Sequence, residues 1–203
     1  MSATLSWRRL AGLTVWAAIG FPIYAAGPVV LIVGPPGSGR TTQAQLLSKD
    51  LGMPIISADD LIARNAAKFQ KSRIPALHGV DPHLDPVLNS LVEGALGGAD
   101  LSKGVFLDGY PAAKVQADFL QTLRRKFDLP RAIVIHLNAP DDVVRKRLKG
   151  QQRDIEQELK DYHREFDFIR EYFPEADIRT VDATKKPAQV TKQVRKTLAE
   201  APK

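Results

Sequence analysis

Residues 28–43, PVVLIVGPPGSGRTTQ, constrain this chain more than any other stretch. The first half is a short apolar run rich in valine and isoleucine, the pattern of a strand buried on both faces. GPPGSGRT follows, and it departs from G-x-x-x-x-G-K-[ST] at one position, with Arg40 where the pattern asks for lysine. Leucines at 46, 47 and 51 then recur at helical spacing, with Gly52 placed to cap the end. Strand, glycine turn and helix start in that order make an anion cradle. Gly37 and Gly39 let backbone amides turn inward, and the helix N-terminus adds its dipole. Thr41 or Thr42 can offer a hydroxyl to Mg2+. Arg40 keeps a permanent positive charge, but a planar guanidinium is bulkier than the ammonium it replaces, so phosphate binding is expected to survive better than turnover.

The rest of the chain repeats the alternation. Strands are expected at 53–57, 104–111, 131–140 and 178–184, the second of these running into a turn. Helices are expected at 57–69, capped by Ser57 or Asp59, then at 86–96, 115–127 and 187–198. A long helical stretch from 141 to about 172 has a break near Gly150. Residues 72–86 hold three prolines and a glycine and read as loop or broken helix. Alternating strands and helices imply an α/β fold, a parallel sheet covered by helices on both faces. It forms one domain over 28–203 with a helical insertion at about 60–95. Asp108 ends the run VFLD beside the glycine loop and is the natural second acid, able to hold Mg2+ through water.

Composition narrows the chemistry. The 203 residues include no cysteine, which excludes disulfides, thiolate metal sites and cysteine nucleophiles. A net charge of +6 favours anionic partners. Residues 145–153 hold five cations in nine positions, and Arg124, Arg125 and Lys126 form a shorter run, yet no aromatic is interleaved with either. A base-stacking platform is therefore missing, and no specific nucleic-acid partner is expected. None of His78, His83, His136 and His163 pairs at a metal-ligand spacing. His136 reads as a strand residue and the others as surface groups.

The first 27 residues are of another kind. Arg8 and Arg9 precede an uncharged run from Leu10 to Gly27 that closes on Ala25 and Ala26, the order of an export signal. The run is also nearly long enough for a membrane anchor, so association with a membrane through residues 8–27 is one expectation and a cytoplasmic extension the other.

Five motifs in order resemble the adenylate kinase family of nucleoside monophosphate kinases: residues 34–57, SADDL at 57–61, DGYPAAKVQADFL at 108–120, LNAPDDVVRKRL at 137–148 and VDATKKPAQV at 181–190. The resemblance implies a P-loop NTPase fold with a helical monophosphate-binding insertion and a minimal lid at about 148–154. It implies transfer of the γ-phosphoryl of ATP to a nucleoside monophosphate, AMP foremost, with Mg2+, by a monomer. Gly34, Pro36, Gly37, Ser38, Gly39, Arg40, Thr41 and Thr42 would cradle the ATP phosphates. Arg147 would lie against the purine or phosphates, and Lys186 near the adenine. Thr41 and Asp108 would lie near the metal. Ser57, Asp60, Arg64, Gly109, Tyr110 and Gln116 would surround the monophosphate, with Gln116 facing its base. Arg40, Asp108, Arg147 and Arg153 would carry catalysis. Three family arginines are absent, replaced by Ala63, Ala112 and Glu158, and the lid shrinks to KGQQRD at 149–154. A nucleotide-binding domain that kept the fold and lost the reaction is the competing reading.

Overall fold

The computed structural model describes residues 26–66 and 85–200. Five strands, β1 (Val29–Val33), β2 (Ile55–Ser57), β3 (Val105–Asp108), β4 (Ala132–Asn138) and β5 (Ile178–Asp182), form one sheet in the order β2-β3-β1-β4-β5. Every pairing is parallel. The expected strands all form, each shortened by a residue or more at one end or both, where backbone pairing stops.

All five residues of β1 and all four of β3 are buried, as expected of strands covered on both faces. Alternation along β1 divides the core. Val29, Leu31 and Val33 pack into one cluster with Leu107, Val92, Leu120 and Ile169. Val30 and Ile32 pack into the other with Phe106, Leu47, Val144 and Val190. The helices α1 (Arg40–Leu51), α5 (Asp141–Leu148) and α7 (Pro187–Ala199) contribute to the second cluster, while α3 (Asp85–Gly97) and α4 (Lys114–Lys126) contribute to the first.

The break expected near Gly150 separates α5 from α6 (Ile155–Tyr172). Helix α6 serves both faces, with Leu159 in one cluster and Ile169 in the other. Its middle therefore passes the carboxyl end of the sheet. Ser57 caps the short helix α2 (Ala58–Arg64), its hydroxyl accepting from the Asp60 amide at 3.4 Å. That resolves the expected choice between Ser57 and Asp59. Residues 1–25, His78, His83 and most of the expected 72–86 loop lie outside the described residues. Gly27 belongs to the fold, donating its amide to the Leu101 carbonyl at 2.8 Å.

Helix α1 leads from β1 toward the β2 edge, whereas α5 and α6 lead from β4 toward the β5 edge. Connections departing in opposite directions from adjacent strands leave a crevice at their carboxyl ends, where open α/β sheets place their ligands.

Candidate functional site

The glycine loop fills that crevice because its backbone does what side chains would forbid. Gly39, the residue before α1, sits at φ +92°, in the left-handed region. At Gly34 the obstacle is space: a Cβ there would stand 2.7 Å from both the Leu137 carbonyl oxygen and Ser38 Oγ. Ser38 is buried, and among the described residues its Oγ has no hydrogen-bond partner. An unpaired buried hydroxyl costs on the order of 1–3 kcal/mol, which a ligand oxygen can recover.

Beneath the loop, the Thr41 hydroxyl donates to Asp108 Oδ2 at 3.1 Å. Asp108 ends β3 beside Ile32 of β1 and is only 7% exposed. Burial holds its carboxyl above the usual range; Arg40 and the Thr41 hydroxyl pull it down, and Asp59 and Asp60 push it up again. A carboxylate that is costly to ionise beside a hydroxyl at a helix N-terminus suits a hydrated divalent cation, which takes one or two such ligands and completes its shell with water and phosphate. Arg40 lines the same cleft, and its guanidinium enters no hydrogen bond or ion pair among the described residues.

The cleft has a volume of about 300 Å3. It is lined by the loop and first turn of α1, from Gly34 to Thr42 apart from Ser38, and by Asp59, Arg153 and the α6 residues Glu158, Asp161, Tyr162 and Glu165. Residues 158, 161, 162 and 165 fall on one face of α6 at i, i+3, i+4 and i+7. Tyr162 anchors that face: its hydroxyl lies 2.8 Å from His136 Nε2, and His136 Nδ1 lies 3.3 Å from Thr180 Oγ1. The His136 ring stacks on Phe166 with centroids 3.8 Å apart. Burial, and secondarily the charge of Arg170, pushes the imidazole pKa down to about 4, so it is neutral near pH 7.

Three arginines in and beside the short lid are engaged. Arg145 grips Glu156 through two nitrogens at 2.7 and 2.9 Å. Arg153 grips Glu158 in the same two-pronged manner, with Nε at 2.8 Å from Oε1. Arg147, expected against the phosphates or purine, donates to the Gly37 carbonyl at 3.1 Å and the Ala183 carbonyl at 2.8 Å. It therefore ties the glycine loop to the loop after β5. Lys186 precedes α7 and is exposed; α7 is drawn to α1 by Gln43, which donates to the Pro187 carbonyl at 3.1 Å and accepts from Thr191 at 2.8 Å.

The residues expected around the monophosphate do not meet in this cleft. Asp60 and Arg64 form an exposed pair on α2 at 3.8 Å. Gly109 turns the chain at φ +72° toward Ala58. Tyr110 is buried, its hydroxyl 2.7 Å from Asn89 Oδ1 and 3.1 Å from the Gln116 carbonyl. Gln116, expected to face a base, is 2% exposed. Its amide accepts from the Ala112 N–H at 2.8 Å and donates to Asp85 at 2.7 Å. These contacts join α3, α4 and the turn after β3.

The structure thus gathers Gly34, Pro36, Gly37, Gly39, Arg40, Thr41, Thr42 and Arg153 around one cleft, with Ser38 and Asp108 at its base. Sequence reasoning gave no site role to Asp59, Asp161, Tyr162 or Glu165. The helical spacing of 158, 161, 162 and 165 held the signal, but which face of α6 meets the loop depends on His136 and Phe166.

A parallel sheet, a glycine loop opening a helix, and a buried acid beneath it define a phosphate-handling nucleotide site. Comparison with known proteins agrees. The family described as AAA domain matches residues 33–161. An adenylate kinase from Mycolicibacterium vanbaalenii is 35% identical over 163 residues, which is 76% of this chain and 90% of that protein. "Adenylate kinase 1" from a Nostoc species is 32% identical over 179 residues, 83% of this chain and 97% of that protein. The chain belongs to the adenylate kinase family and is a nucleoside monophosphate kinase, a phosphotransferase. No helix among the described residues is long and apolar enough to cross a membrane.

Proposed function

We propose that this kinase transfers the γ-phosphoryl of ATP to AMP and uses Mg2+ with the nucleotide. The observation that carries this reading is the loop itself, where an Arg40 unpaired among the described residues and the bond from Thr41 to the buried Asp108 meet at one helix N-terminus. Backbone amides of 34–42 would take the phosphate oxygens. Arg40 would neutralise charge spread over the moving phosphoryl group, where positioned cations do most of the catalytic work. Thr41 and Asp108 would hold Mg2+, whose chemistry is charge neutralisation and alignment of the phosphates. The chain's similarity to adenylate kinases supports AMP as acceptor. Charge order and apolar length in residues 8–27 support export or anchoring, which cell fractionation of the full chain tests.

Purified full-length protein should form ADP from ATP and AMP with Mg2+, and chelation should abolish it. A higher kcat/KM with another monophosphate would overturn the acceptor; turnover in excess chelator would overturn the metal. Arg40→Lys should raise kcat if the guanidinium is the poorer fit.

A further inference from the structure

The pairing of Arg153 with Glu158 has a chemical meaning beyond holding the lid. Both side chains line the cleft that the phosphate loop lines. Their contact is a guanidinium fork on two carboxylate oxygens, the geometry with which a guanidinium also takes two phosphate oxygens. The pair is partly shielded, with side-chain exposures of 40% for Arg153 and 18% for Glu158, so solvent screens it less than a fully exposed ion pair.

The fold gains little that it lacks without this contact. Asp154 already caps α6, accepting from the Gln157 amide at 3.0 Å, and Arg145–Glu156 already ties α5 to α6. Asp161 is occupied by Gln157 at 3.0 Å and Arg164 at 3.4 Å. Of the two arginines in the cleft, then, Arg40 is unpaired among the described residues and Arg153 is held.

We propose that Glu158 is a built-in competitor for the nucleotide: its carboxylate holds the guanidinium that an ATP phosphate would otherwise take. Binding is then an exchange of one anion for another at Arg153. It leaves Glu158 facing the polyphosphate, which weakens the complex and hastens release. Glu158 sets nucleotide affinity through Arg153 and is a positioning residue. This rests on ATP being the donor.

The test is equilibrium binding of ATP, with and without Mg2+, to the full chain and to Glu158→Gln, Glu158→Asp, Arg153→Gln and the Glu158→Gln/Arg153→Gln double variant. Glu158→Gln should tighten ATP by about tenfold, the size of one modest charge-pair coupling. Arg153→Gln should weaken it, and in that background Glu158→Gln should change affinity by less than about twofold. Glu158→Asp, which keeps the charge but shortens the reach, should fall between wild type and Glu158→Gln. An unchanged or weakened affinity in Glu158→Gln overturns the proposal, whatever its melting temperature. Equal tightening with and without Arg153 also overturns it, because removal of charge alone would then be the cause. Wild-type protein that binds no ATP would overturn the donor assignment along with it, whereas wild-type binding with an indifferent Glu158→Gln overturns the competitor alone.

Discussion

The phosphate-loop cleft and the Asp85–Gln116–Tyr110–Asn89 cluster are both polar, and they are built to opposite rules. In the cluster Gln116 bonds at both ends of its amide, and the Tyr110 hydroxyl has partners in Asn89 and the Gln116 carbonyl. In the cleft, Ser38 Oγ lacks a partner among the described residues and Asp108 is held costly to ionise. Satisfied groups make scaffold; unsatisfied ones are left for a ligand. Polarity alone does not mark a binding site, and the difference lies in how much bonding capacity the fold has already spent.

The largest test of this contrast is Asp108→Asn. Turnover should fall on the order of a hundred- to a thousandfold, as for loss of one positioned electrostatic group. The melting temperature at neutral pH should rise, because a carboxyl whose pKa is raised by burial opposes folding once it ionises. A thermal melt beside an ADP assay reads both. Lower stability together with lower turnover would place Asp108 in the scaffold.

Gln116→Leu should do the reverse. Leaving the Ala112 amide and Asp85 without their partner should cost about 1–3 kcal/mol, several degrees in Tm, while ATP affinity holds. Loss of ATP affinity at full stability would erase the distinction between the regions. Arg147→Lys tests the border between them: an ammonium cannot span the Gly37 and Ala183 carbonyls as a guanidinium does, so KM for ATP should rise by several-fold, roughly 1 kcal/mol.

The smallest effect is a slope. His136 binds its proton less readily folded, at about 4, than unfolded, near 6.5, so the unfolded chain takes up more protons between those values. The stability it contributes is full above about pH 6.5 and is lost as pH falls toward 4. His136→Gln should flatten that part of a melting-temperature profile; an unchanged slope would show that the imidazole does not titrate as its burial requires.

The sheet was legible in the sequence because each strand carries its own signal. VVLIV and VFLD are apolar throughout, as double-faced burial demands. The phosphate loop was legible for a local reason too, since glycine spacing reports backbone conformation directly. The far wall was not. Glu158 stands out in the sequence only as the replacement of a family arginine, and nothing local marks Asp161 or Glu165; a long-range contact, Tyr162 to His136 across 26 positions, fixes the helix face they share beside the loop. Gln116 shows what motif position leaves out: the resemblance places it beside a base, and the structure adds that the amide at Ala112 and the carboxylate at Asp85 bond both ends of its side chain.

Gly27 gives the molecule a polarity. Its amide is bonded at the start of β1, whereas the phosphate loop leaves the other end of that strand, about 16 Å away at 3.3 Å per residue. Whatever precedes Gly27 joins the domain at the pole remote from the nucleotide cleft. A tether attached there would hold the enzyme by its back, leaving substrates a clear approach from the solution side.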